Sequence, residues 1–127
     1  MYVKNVNELR IYQLALELAK ETSNLIKQIP HYWDIEECRQ ILRSSSSCSS
    51  NIAEGFSQRS YVKKFINYLN IAMGSSDESQ DHLTKLRNNK HITSEIAEDY
   101  IFRYKSLSVK TLNMINHLKN RSTIAPQ

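Results

Sequence analysis

Glu78 and His82 are the side chains of this sequence best suited by type to bind a metal ion. Their spacing of four residues places both on one face of a helix. Di-iron bundles instead combine Glu-x-x-His pairs from two helices with further glutamates, and this sequence has neither that spacing nor a second copy. We therefore interpret Glu78 and His82 as a surface ion pair, and we expect no metal and no cofactor.

A run of serines at residues 44–50 surrounds Cys48 and is the second group that could carry chemistry, as a nucleophile. Hydrolases of the α/β class hold their serine in a Gly-x-Ser-x-Gly turn. This sequence lacks that turn, and it also lacks a glycine-rich phosphate loop. No base is indicated beside the run, and Cys48 falls on the helix side that faces its neighbours, where a thiolate is disfavoured. We therefore predict that the chain is not an enzyme.

Lys and Arg side chains form the third group, and they could bind an anion. They number 17 against 13 Asp and Glu, for a net charge of +4. From residue 100 to the end there are five basic residues, no acids and three interleaved aromatic rings. Phosphate binding requires such donors on one face, and it is salt-sensitive and weakly sequence-specific. A solvated helix face is the alternative. The candidate nucleic-acid-binding residues are Arg39, Arg43, Arg59, Lys63, Lys64, Arg103, Lys105, Lys110, Lys119 and Arg121.

Long helices must position these groups, because the 127 residues include only two Gly and two Pro. Apolar residues recur at spacings of three and four, and this periodicity continues through the serine run. We predict helices over about 7–29, 34–56, 61–89 and 94–121. Their predicted N-caps are Asn7, Asp34, Ser60 and either Thr93 or Ser94.

Four helices joined by short loops predict an all-α fold, an up-down-up-down antiparallel four-helix bundle that forms one domain over 1–127. Helix one has two adjacent apolar stripes, which is typical of a helix with two sets of neighbours. Gly74 lies in the middle of helix three, where glycine is unfavourable, so we expect another backbone to pass close to it. Gly55 suits either a helix C-cap or a close approach.

Cys38 and Cys48 are the only cysteines, and ten residues of helix separate them by roughly 15 Å, too far for a disulfide. Two free thiols suit a reducing compartment. The first residues have no apolar signal core, and no window approaches the roughly 20 apolar residues of a membrane span. We expect a cytoplasmic protein.

Two segments carry a family resemblance. The first runs from Arg43 through the serines to Asn51-Ile-Ala-Glu-Gly55-Phe, and the second contains Gly74-Ser75 followed by Glu78. With the opening of helix one, they resemble the four-helix-bundle family of proteins encoded in intervening sequences of bacterial 23S rRNA genes, over about residues 7–120. The chain departs from the family pattern in the middle of helices two and three, where Ser46, Cys48, Ser49 and Ser76 replace residues that are apolar or proline.

The resemblance implies a homo-oligomer, in some members a ring-shaped pentamer, and related bundles serve as nucleic-acid-binding accessory proteins of reverse transcriptases. The shared motif residues are implied to be structural or to lie at an interface: Asn51, Glu54, Gly55, Gly74, Ser75 and Glu78. We expect Asn51 to bond across to helix three, and Glu54 to pair with Arg59, Lys63 or Lys64.

Two hypotheses about function follow from these observations. The first is a ring of bundles that presents basic residues to RNA or DNA. The second is a scaffold that binds another protein and no nucleic acid.

Overall fold

Four α-helices make up the fold of the computed structural model, which describes residues 3–124, with side chains to residue 121. They are α1 (Arg10–Ile26), α2 (Glu36–Ser57), α3 (Val62–Asn88) and α4 (Ser94–Ile124). Short 3-10 turns at Val6–Glu8 and Tyr32–Asp34 precede α1 and α2. The residues described contain no strand. The all-α prediction is therefore confirmed.

Each helix packs against two neighbours, because contacts join α1 to α2, α2 to α3, α3 to α4 and α4 back to α1. Cross-helix pairs give the directions. Ser47 bonds Ser75 while Ser44 bonds Ser79, so α2 and α3 run antiparallel. Residues 14 and 18 of α1 line a groove with residues 107 and 110 of α4, and Thr22 bonds Tyr104. Higher numbers in α1 thus pair with lower numbers in α4, so these two helices also run antiparallel. The structure thus confirms the up-down-up-down bundle.

α1 is shorter at both ends than predicted. Asn5, not Asn7, provides the side-chain cap, and it caps the preceding 3-10 turn by accepting from the Asn7 amide at 2.9 Å. α1 ends at Ile26 because Gln28 and Ile29 form tighter bonds to carbonyls three residues back, ahead of Pro30.

The starts of α2 and α3 also differ from prediction. Asp34 belongs to the 3-10 turn, so the α2 N-cap is Ile35, without a side-chain bond. Tyr61 rather than Ser60 precedes α3, again without a side-chain cap. Both polar residues fall outside the cap position because an extra turn or an extended residue intervenes. The predicted end of α3 near Asn88 is confirmed.

α4 starts as predicted, since Thr93 accepts a hydrogen bond from the Ile96 amide at 3.2 Å. It continues to Ile124, three residues beyond the predicted end at Arg121. The sequence also predicts a loose tail over residues 122–127. Residues 122–124 belong to α4 instead, and residues 125–127 lie outside the described residues.

The serine run is helical throughout, as the periodicity predicted. Its hydroxyls and those of α3 and α4 form a polar band across the middle of the core. Ser44 bonds Ser79 at 2.7 Å, and Ser76 donates to the Tyr104 carbonyl at 2.7 Å. Ser108 bonds Ser76 at 2.9 Å. Above and below this hydroxyl band the core is aliphatic and aromatic, with fully buried residues such as Ile26, Ile41, Ile52, Phe65, Leu69, Leu83 and Ile115.

The two glycines have opposite surroundings. A Cβ at Gly55 would lie 2.8 Å from the Tyr68 Cβ and 3.0 Å from a Phe65 ring carbon, so α2 and α3 approach closely there, as one of its two readings predicted. The C-cap of α2 is Gln58, so the C-cap reading of Gly55 is wrong. A Cβ at Gly74 would meet no atom within 4 Å among the residues described, because this position is exposed on α3. Within this chain, the expectation of a backbone close to Gly74 is wrong.

Candidate nucleic-acid interface

The antiparallel bundle gathers four separate chain segments at one end. They are the start of α1, the end of α2, the start of α3 and the end of α4. The Ser47–Ser75 bond, the Ser108–Ser76 bond and the α1–α4 contacts near Leu18 and Leu107 mark the middle of the bundle. We call residues 3–17, 47–75 and 107–121 the basic end.

The net positive charge of the chain is located at this end. The basic end has eight Lys and Arg, and its only acids are Glu8, Glu17 and Glu54, for a formal charge of +5. The remaining half has nine basic and ten acidic residues, for a charge of −1. The bundle is therefore electrically asymmetric along its axis, with the excess positive charge on one end surface.

Six of the ten candidate residues lie at the basic end, namely Arg59, Lys63, Lys64, Lys110, Lys119 and Arg121. All six are exposed. Lys4 and Arg10 are also exposed there, and they are not among the candidates from the sequence because they are far from the others along the chain. The antiparallel order of the predicted helices could have indicated that the start of α1, near which Lys4 and Arg10 lie, is at the same end as the start of α3.

The other four candidates lie in the opposite half, and two of them, Arg39 and Arg103, pair with acids. Arg103 donates two hydrogen bonds to Glu21, at 2.6 and 3.1 Å, and lies 3.9 Å from Asp99. The bidentate bond to Arg103 holds the pKa of the Glu21 carboxyl below its ordinary value, although partial burial opposes the shift. Arg39 is bonded to Glu36 and to the Trp33 carbonyl, Arg43 reaches Gln40, and Lys105 is exposed.

Two cations at the turn between α2 and α3 contact aromatic rings. The Arg59 guanidinium lies 4.1 Å above the Phe56 ring and donates to the Phe56 carbonyl at 3.0 Å. The Lys64 ammonium lies 5.0 Å from the Tyr61 ring centre. The first amides of α3 carry no side-chain cap and point to the same surface. This turn thus combines fixed cations with a positive helix end, a combination that favours phosphate.

The motif residues have mainly local roles. Asn51 donates to the Ser47 carbonyl and hydroxyl, both at 2.9 Å, and Ser47 in turn bonds Ser75. Asn51 therefore reaches α3 only through Ser47, and the expected direct bond across is wrong. Glu54 is exposed and forms no ion pair with the described side chains, because Arg59 turns toward the Phe56 ring. The expected Glu54 pairing is wrong as well.

Glu78 and His82 do contact each other, with 3.3 Å between the Glu78 Oε2 and His82 Nε2 atoms. His82, however, is buried rather than on the surface, because it lies three residues beyond Ser79, on the side of α3 that bonds α2. Within residues 3–121, no group of three or more His, Cys, Asp or Glu is arranged to hold a metal ion.

Both thiols are buried and free. Burial raises the pKa of the Cys48 thiol to about 12, so this thiol is protonated at neutral pH and a poor nucleophile. Across the described part of the chain, none of the helices has the length and apolar character needed to cross a membrane.

A family model described as 23S rRNA-intervening sequence protein matches residues 7–115, which include α1, α2, α3 and most of α4. The chain is also similar to a crystal structure of a protein with unknown function from the S23 ribosomal protein family of Bacteroides thetaiotaomicron VPI-5482. Their sequences are 29% identical and their TM-score is 0.76, over 83% of this chain and 97% of that chain. No curated protein matches the chain.

Proposed function

Because the chain belongs to the family of 23S rRNA-intervening sequence proteins, we propose that it is a non-enzymatic, homo-oligomeric protein that binds RNA or DNA through its basic end. The observation that carries the proposal is the axial charge asymmetry, +5 on the basic end against −1 on the other half. An end surface of this kind attracts a polyanion of any sequence, because phosphates are contacted rather than base edges.

The Lys63–Lys64 region is the centre of the proposed contact. Lys63 and Lys64 lie in the uncapped first turn of α3, and Arg59 is held beside them over Phe56. A phosphate at this position would accept hydrogen bonds from backbone amides and from the ammonium groups together. Binding of this kind discriminates little between sequences and weakens steeply as salt increases.

Self-association is the second part of the proposal. Half-buried or exposed apolar side chains remain on both flanks of α1, with Leu14 toward α4 and Leu16 toward α2. A single bundle leaves them in contact with water, whereas an assembly covers them. Five copies in a ring is the number that the sequence resemblance implies. Two buried free thiols support a reducing, cytoplasmic setting.

Fluorescence anisotropy with labelled single-stranded RNA and DNA of mixed sequence, at about 50 and about 200 mM salt, tests the nucleic-acid part. The Lys63→Glu/Lys64→Glu variant should lose about tenfold or more in affinity, since two phosphate contacts are replaced by repulsion. The matched control is Arg87→Glu/Lys90→Glu, with the same charge change at the opposite end. It should retain most of the affinity.

Two outcomes would overturn the nucleic-acid part. One is the absence of binding at the lower salt concentration. The other is an equal loss in both double variants, which would mean that total charge rather than the basic end matters. The absence of binding would favour the alternative function, a scaffold that binds another protein, for which the exposed Phe102 and Val109 side chains on α4 are the favourable observation.

A further inference from the structure

α4 carries an apolar ridge on its outer face. Phe102 and Val109 are 68% and 52% exposed, and their spacing of seven residues aligns them along the helix. Leu112, 43% exposed, lies beside them. A large part of each of these three side chains is open to solvent in the described chain, and we call them the α4 ridge.

A groove of about 820 Å³ lies on a different side of the bundle, between α1 and α2. Its apolar lining includes Leu16, Ala19 and Leu42, and Leu16 is 50% exposed. The α2 wall consists of Leu42 and three short side chains, Ser45, Ser46 and Ser49, and the short side chains leave the groove open. We call it the α1–α2 groove.

The ridge and the groove lie at the same height in the bundle. The Thr22–Tyr104 hydrogen bond, 2.6 Å long, fixes the level of α1 against α4. Leu16 lies six residues below Thr22, and Val109 lies five residues below Tyr104. At 1.5 Å per residue these offsets are about 9 and 8 Å. Two copies side by side, with the same ends up, therefore bring Val109 level with Leu16.

Charges along the two surfaces are complementary in the same arrangement. Lys27 lines the top of the groove five residues above Thr22, and Asp99 lies five residues above Tyr104 on α4, next to the exposed Glu98. Lower down, Glu17 lines the groove, and Lys110 is exposed on α4 at a similar height. At these two heights the acids of α4 thus lie level with Lys27 of the groove, and Lys110 lies level with Glu17. Between them Lys20 of the groove lies level with Lys105, so the complementarity is confined to the two ends of the contact.

We propose that the α4 ridge of one copy packs into the α1–α2 groove of a second copy, with both basic ends pointing the same way. Because the ridge and the groove are different surfaces of one chain, the contact is heterologous, and its repetition closes a ring when the rotation permits. Every basic end then lies on one face of that ring. This inference rests on the self-association in the proposed function and names its interface.

Light scattering on size-separated protein tests the interface, with the wild type expected to be a multiple of the 14.8 kDa chain. Phe102→Asp on the ridge and Leu16→Asp in the groove should each give a monomer with unchanged circular dichroism. An equimolar mixture of the two should form a dimer and nothing larger, since Phe102→Asp keeps its groove and Leu16→Asp keeps its ridge. Ile71→Asp, at a residue 51% exposed on α3, is the matched control and should keep the wild-type mass.

The results separate this inference from the proposed function. A monomeric wild type would refute self-association altogether. A wild-type oligomer that survives Phe102→Asp would leave self-association standing and refute the ridge. If Phe102→Asp is monomeric while Leu16→Asp keeps the wild-type mass, ridges pair with one another and the groove is empty. Loss of the oligomer in Ile71→Asp alone would place the interface on α3.

Discussion

At the residue scale, buried hydroxyls replace aliphatic side chains in the middle of the bundle, and hydrogen bonds satisfy them. Ser44 and Ser79 bond each other, while Thr111 donates to the carbonyl one turn back, at 2.7 Å. A buried hydroxyl with a partner costs little, whereas the same group without one loses its hydration uncompensated. The stability of the hydroxyl band therefore depends on these pairs. Within a pair, the losses in free energy of unfolding from the two single substitutions should not be additive.

The Thr22–Tyr104 pair is the sharpest test of this dependence, because both residues are almost completely buried. Tyr104→Phe leaves the Thr22 hydroxyl without its partner and should lower the free energy of unfolding by about 1–3 kcal/mol. Thr22→Val should cost less, because the Tyr104 hydroxyl keeps an interaction with Ser45. The double variant should be closer to the wild type than the sum of the single changes. Urea unfolding at one fixed protein concentration measures all four. Additive losses would contradict the pairing.

At the element scale, hydrophobic periodicity was sufficient to predict all four helices, because the heptad-like spacing of α3 and α4 dominates their sequences. Periodicity also identified the serine run as helix, where composition alone indicates a linker. The helix starts were harder to predict, since 3-10 turns before α1 and α2 shift the caps away from Asn7 and Asp34. These turns arise from local backbone hydrogen bonds, which leave little trace in residue type.

The two glycines provide a test at this scale. Gly74→Ala adds a methyl group to an exposed helix position with no neighbour within 4 Å, so helix propensity alone should raise the free energy of unfolding by about 0.5–1 kcal/mol. Gly55→Ala gains the same propensity, but its Cβ would meet the Tyr68 Cβ at 2.8 Å, so the helices must separate and the net effect should be destabilising. Thermal unfolding of both variants decides this. A stabilised Gly55→Ala protein would contradict the close α2–α3 contact.

At the scale of the whole molecule, charge and apolar surface are both distributed asymmetrically. The chain segments that form the basic end come from its beginning, middle and last quarter, so no window of the sequence has the charge of that surface. The predicted topology could have grouped Lys63, Lys64 and Arg121 at one end. Arg103, in contrast, was included among the candidate nucleic-acid-binding residues but lies in the other half of the bundle. It falls in a stretch free of acids along the chain and yet binds Glu21 of α1 in the fold. Ion-pair partners on different helices depend on how each helix is rotated about its axis, and hydrophobic periodicity predicts that rotation only approximately.

A ring with all basic ends on one face should bind long polyanions by avidity. A nucleic acid long enough to touch several basic ends forms its second contact without a new diffusional encounter. This effect typically strengthens binding by about 10²-fold to 10⁴-fold. An oligonucleotide that reaches a single basic end gains almost nothing. Phe102→Asp, monomeric under the proposed interface, should therefore lose about 10²-fold or more on long RNA or DNA and little on short pieces.

Trp33→Asp is the control for avidity, because it adds the same charge at an exposed residue outside the basic end and leaves the α4 ridge intact. Anisotropy titrations with one short and one long probe, at equal salt, separate the cases. If Phe102→Asp matches the wild type on both lengths, the basic ends act singly and the ring has no role in binding. If it weakens equally on both lengths, the substitution damages the basic end itself, although Phe102 lies in the other half of the bundle.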